Sequence, residues 1–356
     1  MTISADRLLE FTKAILQSIG CSEADALQGA EILVSADLRG VDSHGVARLS
    51  GYLRLYEKGR LNPTPNIRVV HETPSTAVVD GDAGLGLVVG PYAMKIALEK
   101  ADKVGTGWVA VKNSNHYGIA GYHAMMALER DCIGISLTNA SPLVSPTFSK
   151  ERLLGTNPIA VAIPADKQPP FVLDMATTTA ANGKLEVLQR KNEDAPEGWL
   201  ADSEGKVITD AHGLKKGGSM LPLGGDRLHG SHKGYGLGAL VDILSAVLPG
   251  ANYGPWVPPF VSFIEPLDEK VGEGLGHFFG AMRVDAFRPA DEFKSHMDNW
   301  INRFRSAETT DGHERVLIPG DPERELTEKR KKEGLHLLPA VVEDLQRLGD
   351  RCGVGL

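Results

Sequence analysis

Cysteine is scarce in this chain of 356 residues: only Cys21, Cys132 and Cys352 occur, far apart and without a C-x-x-C pair. An odd, dispersed set excludes a disulfide framework and a zinc ribbon, and fits a reducing compartment. Basic blocks are missing too. Lys and Arg number 38 against 46 Asp and Glu, a net charge of −8. The one basic run, Lys329 to Lys332, is flanked by Glu328 and Glu333 and reads as a solvated helix face. Nucleic acid is therefore not an expected partner, because phosphate neutralisation needs clustered cations. No apolar run is long enough for a bilayer: Leu237 to Leu248 is interrupted by Asp242 and Ser245. Asp6, Arg7 and Glu10 stand where a signal peptide would be apolar, so a cytoplasmic location and no membrane partner are expected. Repeats and low-complexity tracts are absent.

Three nucleotide and metal signatures are also lacking. There is no H-E-x-x-H zinc motif and no G-x-x-x-x-G-K-S/T phosphate loop. Gly84, Gly86 and Gly90 are spaced G-x-G-x-x-x-G, one residue too long for the dinucleotide fingerprint. The strand that follows ends in Lys112-Asn113 rather than in a ribose-binding acid. His229, His232 and Asp226 leave a metal-dependent hydrolase as a competing reading.

What is present describes an ordinary globular chain, 42% apolar and 24% charged, with an excess of glycine at 40 residues. Apolar periodicity predicts helices before Gly20, over Ala26 to Leu38 and over about Ser43 to Lys58. From about Ile67 the pattern turns strand-like. Strands are predicted at Ile67–Val70, Thr76–Asp80, Trp108–Val111, Ile133–Leu137, Ile159–Ile163, Phe171–Asp174, Phe260–Ile264 and Phe278–Val284. Helices are predicted at Pro91–Val104, Ile119–Arg130, Leu237–Leu248 (buried), Pro289–Arg305 and Thr327–Leu348. The fold class is α/β in the middle with helices at both ends. The expected division is a helical segment 1–70, a core 71–284 that binds cofactor and substrate, and a segment 285–356 that joins the first in a helical layer.

Four segments could carry chemistry. In the first, His44, Arg48 and Tyr52 are four apart and would share one helix face. Arg offers a planar fork for a carboxylate, and His exchanges protons near neutral pH. A clamp beside an acid/base suits a small 2-hydroxy or 2-oxo acid; ordinary surface residues at a helix start are the alternative. The second, Asn113 to Gly121, places His116 between a strand and a helix, where catalytic groups or a simple cap are both common. The third joins Leu154 to Pro158, including Thr156, with Asp174-Met175-Ala176. The fourth, His229 to Gly238, is a glycine-rich helix entry with His232 and Lys233, which could present N–H groups to phosphate or merely pack closely.

Taken together, these stretches resemble the type-2 malate/L-lactate dehydrogenase family, in the family's order and spacing. The resemblance implies an NAD(P)-dependent oxidoreductase of small 2-oxo or 2-hydroxy acids, with NAD as cofactor and NADP as the alternative. It implies a central mixed β-sheet flanked by helices, a non-Rossmann nucleotide site and an intertwined homodimer. His44 and His116 match the two acid/base candidates and Arg48 the carboxylate binder. Ser43, Tyr52 and Thr156 match pocket positions. Asp174, Met175, Ala176, His232, Lys233, Pro319, Gly320 and Asp321 match cofactor contacts. Relatives of this kind also act on sulfolactate, ureidoglycolate, diketogulonate or cyclic imino acids. Ala140 replaces the lysine common in the ureidoglycolate branch, which points toward malate/oxaloacetate or L-lactate/pyruvate. A sensor that binds nucleotide without turnover is the non-enzyme alternative.

Overall fold

The structure, a computed structural model, describes residues 1–356 apart from the side chain of Arg190. A short strand β1 (Thr2–Ile3) leads into helices α1 (Ala5–Ser18), α2 (Glu23–Leu38) and α3 (Leu49–Glu57). Ser4 and Ser22 cap α1 and α2 by accepting from the N–H groups of Arg7 and Asp25. Strands β2 (Arg68–Glu72) and β3 (Thr76–Asp80) follow, then α4 (Gly86–Val104), β4 (Thr106–Ser114), α5 (Ala120–Met125), β5 (Cys132–Thr138), β6 (Ile159–Ile163), β7 (Phe171–Met175) and α6 (Asn182–Lys191). Strands β8 (Leu200–Ala201), β9 (Val207–Ile208) and β10 (Ser219–Met220) form a small separate sheet. Helix α7 (Ser231–Asp242), strand β11 (Leu275–Arg283) and α8 (Ala290–Arg305) precede α9 (Asp321–Glu333), β12 (Leu335–His336) and α10 (Pro339–Cys352).

The main sheet has seven strands in the order β2-β3-β4-β11-β5-β6-β7. Only β3 and β4 run parallel; every other pair is antiparallel. This is the expected mixed sheet flanked by helices, unlike the all-parallel sheet of a doubly wound domain. Buried alanines and valines of β3, β4, β6 and β11 pack on the small residues of α4 and α5. A second core joins Leu8, Phe11 and Leu16 of α1 to Leu49 and Tyr52 of α3 and to Val341 and Leu345 of α10. Thus α10 joins the N-terminal helices, whereas α8 stands elsewhere: Asp298 accepts from the N–H groups of Asp166, Lys167 and Gln168 in the β6–β7 turn. No helix is long and apolar enough to cross a membrane among the described residues.

Several predicted elements need correction. The helix expected from Ser43 begins only at Leu49, after two short 3-10 turns, Asp42–His44 and Val46–Arg48. Phe260 to Ile264 is loop, not strand. The predicted helix Thr327–Leu348 breaks at Gly334 (φ +84°), where Leu335–His336 pairs with β1, and restarts at Pro339. The helix predicted over Ile119–Arg130 stops at Met125. Helix α4 starts at Gly86, five residues before Pro91, and Gly86 and Gly90 lie flush against other groups. A Cβ on Gly86 would sit 2.1 Å from the Asn115 carbonyl oxygen, and one on Gly90 would sit 2.7 Å from the His123 ring. Close packing, not phosphate binding, accounts for that glycine spacing. The stretch Leu237–Leu248 is buried on one face only: Val241 and Ala246 are inaccessible, whereas Leu240, Ile243, Val247 and Leu248 are 49–58% exposed.

Candidate functional site

The segment between α2 and α3 is set by Asp37. This residue is 2% exposed, and its Oδ2 accepts from the Val46 N–H at 2.8 Å. A Cβ on Gly45 would fall 2.1 Å from the same carboxyl group, so only glycine lets the chain close over it. Burial pushes the Asp37 carboxyl up to about 8. The folded protein therefore holds a proton here that the unfolded chain releases near 3.8. That contribution is full in acid and is lost as pH rises through about 8. Asp37→Asn is thus expected to gain thermal stability relative to wild type as pH is raised from 5 to 9. Parallel melting-temperature curves for the two proteins would contradict this.

The turn closed by Asp37 delivers Ser43, His44 and Arg48. Ser43 Oγ lies 2.9 Å from His44 Nδ1, and Arg48 Nε donates to the Ser43 carbonyl at 2.5 Å. His116, in the loop after β4, lies between the rings of Phe260 (4.5 Å) and His44 (5.6 Å). Tyr52 reaches it from α3, with its hydroxyl 2.7 Å from His116 Nδ1. Nδ1 is thus taken, and Nε2 is the ring nitrogen left for a ligand. So the three helix-spaced residues do converge, but through a turn and a loop histidine rather than on one helix face.

These groups enclose a chamber of about 70 Å³ lined by His44, Arg48, His116, Thr156, Asn182 and Phe260, among others. One water occupies ~30 Å³ of liquid, so the chamber suits a molecule of few heavy atoms. Burial, and then the Arg48 charge, hold His44 down at about 4. Burial, with His44, Arg48 and His277, holds His116 well below the ordinary imidazole range. Both rings are neutral at neutral pH and carry no charge of their own to a bound anion. Arg48 is the cation of the chamber wall among the described residues.

His44 and Thr156 also line a groove of about 530 Å³ that runs past Asp174, Met175, Ala176 and Glu323. This volume lies within the ~300–1,000 Å³ typical of small-molecule and cofactor sites. Its size and mixed polar and apolar walls suit a cofactor-sized ligand, and at His44 and Thr156 the groove adjoins the chamber.

A family model described as malate/L-lactate dehydrogenase matches residues 3–346. The chain belongs to this family. A malate dehydrogenase of Pyrococcus abyssi is 46% identical over 353 residues, covering 99% of this chain and 95% of that protein. An L-sulfolactate dehydrogenase of Methanocaldococcus jannaschii is 39% identical, covering 96% and 94%. The crystal structure of malate dehydrogenase from Entamoeba histolytica superposes with a TM-score of 0.93 at 37% identity, covering 100% of this chain and 99% of that one.

Within this dehydrogenase the remaining sequence-selected residues divide into two groups. Ser43, Thr156, Asp174, Met175 and Ala176 stand on the groove. His232 and Lys233 are exposed in the first turn of α7, outside the walls of both groove and chamber. His232 lies 2.9 Å from Arg227, whereas His229 pairs with Asp226, so the two histidines do not share a ligand. Among the described residues no three His, Cys, Asp or Glu side chains gather as metal ligands. Pro319, Gly320 and Asp321 fix the chain onto β7 and the end of α8: Pro319 accepts from the Val172 N–H at 3.0 Å, and Asp321 pairs with Arg305 at 2.7 Å. Glu323, one turn later, reaches the groove. Asn182, Glu186 and Phe260 were not singled out by the sequence. Phe260 had one signal, a glycine inside α3: a Cβ on Gly51 would meet its ring at 2.4 Å.

Proposed function

We propose that this dehydrogenase uses reduced nicotinamide to convert a small 2-oxo acid to its 2-hydroxy acid, with oxaloacetate/malate or pyruvate/L-lactate as the pair. The observation that carries the reading is the convergence of Arg48 and His116 in a 70 Å³ chamber that meets the groove at His44 and Thr156. Asp174, Met175 and Ala176 on the groove would hold the nicotinamide, which would supply the hydride. Arg48 holds the substrate carboxylate with its planar fork. His116 Nε2 delivers a proton to the carbonyl oxygen, and Tyr52 stays bonded to Nδ1 throughout. The substrate carboxylate brings a further negative charge beside His116, so binding favours the proton that the reaction needs. Ser43 orients His44 from the side. NAD is the proposed cofactor and NADP the alternative. His232, Lys233, Pro319, Gly320 and Asp321 are proposed cofactor contacts on family resemblance alone.

The test offers NADH and NADPH with oxaloacetate, pyruvate and sulfopyruvate, each with and without chelator. Sulfopyruvate belongs in the panel because a relative is named for sulfolactate. Chelator-resistant nicotinamide oxidation is expected with at least one of the acids. No oxidation with any acid, despite NADH binding, would overturn the reading in favour of a sensor.

The proposed assembly is a homodimer. Leu237, Leu240, Ile243, Val247 and Leu248 form an exposed apolar stripe along α7 and the turn after it. A stripe of that kind on a charged surface suits burial against a second copy. Ile243→Asp is expected to halve the mass measured by sedimentation equilibrium; a wild-type monomer, or a variant that stays dimeric, would contradict this face. The three free cysteines, two of them buried, support a cytoplasmic location.

A further inference from the structure

The chamber has a second neighbour besides the groove. A cleft of about 520 Å³ shares Arg48, Asn182, Phe260 and Val261 with the chamber, yet shares no lining residue with the groove. Among the described residues its wall carries Arg48, Arg54, Lys215 and Arg347 against Glu186 and Asp344, a cationic approach. Arg48 stands where cleft and chamber meet. Its two terminal nitrogens each face one oxygen of Glu186, both at 3.3 Å. Fork-to-fork pairing is how Arg holds a substrate carboxylate, but strong contacts of this kind measure about 2.7–2.9 Å. The Arg48–Glu186 pair is therefore loose. Arg48 Nε is anchored separately on the Ser43 carbonyl, and Asn182 Nδ2 holds Glu186 Oε1 at 3.0 Å. The arginine would stay in place if the glutamate left.

We infer that Glu186 is a gate residue: its carboxylate occupies the Arg48 fork and is displaced when an anionic substrate arrives through the second cleft. This rests on the reading of Arg48 as the carboxylate clamp. It adds a competitor that sets substrate affinity, so specificity favours anions strong enough to displace an internal carboxylate. A neutral carbonyl compound has no means of opening the gate.

The experiment compares wild type with Glu186→Gln and Glu186→Asp, by oxaloacetate kinetics with NADH and by calorimetric titration with oxalate. Asp keeps the charge but is one methylene too short to reach the fork. Both variants are expected to lower the oxaloacetate KM and the oxalate Kd about fivefold, the scale of one long, partly buried ion pair. The kcat is expected to change by less than about twofold, since the gate acts before chemistry. An unchanged or raised KM and Kd would overturn the gate and make Glu186 a support for Arg48. A fall with Gln but not with Asp would overturn it in favour of a general field effect. The oxalate titration needs no turnover, so it reads the gate separately. Failure of every acid to react would count against the functional reading, not against the gate.

Discussion

His116→Gln is expected to lower kcat about 10²- to 10⁴-fold, the usual worth of a positioned general acid. KM for the 2-oxo acid should change far less, because Arg48 still holds the carboxylate. NADH affinity should be unaltered, since His116 lines the chamber and not the groove. His44→Gln should be milder, with its loss divided between KM and kcat. If His44→Gln abolished turnover while His116→Gln kept it, the two assignments would be exchanged. The pH profile carries a second signature. Oxidation of the hydroxy acid needs neutral His116 as base, and burial keeps its folded pKa well below 6.5. In that direction kcat/KM should stay level as pH falls to about 6.5 and drop only in stronger acid. Tyr52→Phe, which removes the 2.7 Å partner of Nδ1, should disturb this limb and slow turnover about tenfold.

Arg48→Lys should reduce kcat/KM about 10²-fold, mainly through KM. Two charge-assisted hydrogen bonds at about 1.5–3 kcal/mol each are at stake, and a lysine cannot reproduce the fork. Arg48 Nε is bonded to the Ser43 carbonyl, which holds the plane of the guanidinium. A point charge on a flexible stem has no such anchor. Arg48→Ala tests the electrostatic side of the same residue. The Arg48 charge lowers the pKa of both His44 and His116, so its removal should move the acidic limb toward higher pH. A variant with full catalytic efficiency would show that the carboxylate is held elsewhere.

Much of this site was legible because its residue types are chemically uncommon together. Arg48 and His44 were found from a four-residue spacing, although that spacing is realised through two 3-10 turns. Asp37 explains the difference: its buried carboxyl draws in the Val46 N–H and closes the chain before α3 can begin. Nothing local announces a bond between residues nine apart. Phe260 was misread as a strand residue because a five-residue stretch with four apolar positions, Phe260 to Ile264, fits a strand by periodicity. Its place is fixed by long-range contacts, its backbone N–H donating to Ser141 Oγ and its ring packing on Tyr52 and His116. The exposed stripe on α7 was misread for a related reason. Periodicity marks apolar residues that need cover, and it cannot tell cover by the same chain from cover by another copy. The mixed sheet was reached through family resemblance, since individual strands do not reveal that β11 inserts between β4 and β5.

The central claim is hydride transfer between nicotinamide and the carbon beside the substrate carboxylate, under the hands of Arg48 and His116. The most direct measurement supplies NADH deuterated at both hydride positions together with the preferred 2-oxo acid, and reads the product by NMR. The account predicts one deuterium on C2 of the 2-hydroxy acid, in a reaction that His116→Gln slows about 10²- to 10⁴-fold. A product without deuterium at C2, or labelling that persists undiminished in the variant, would contradict it.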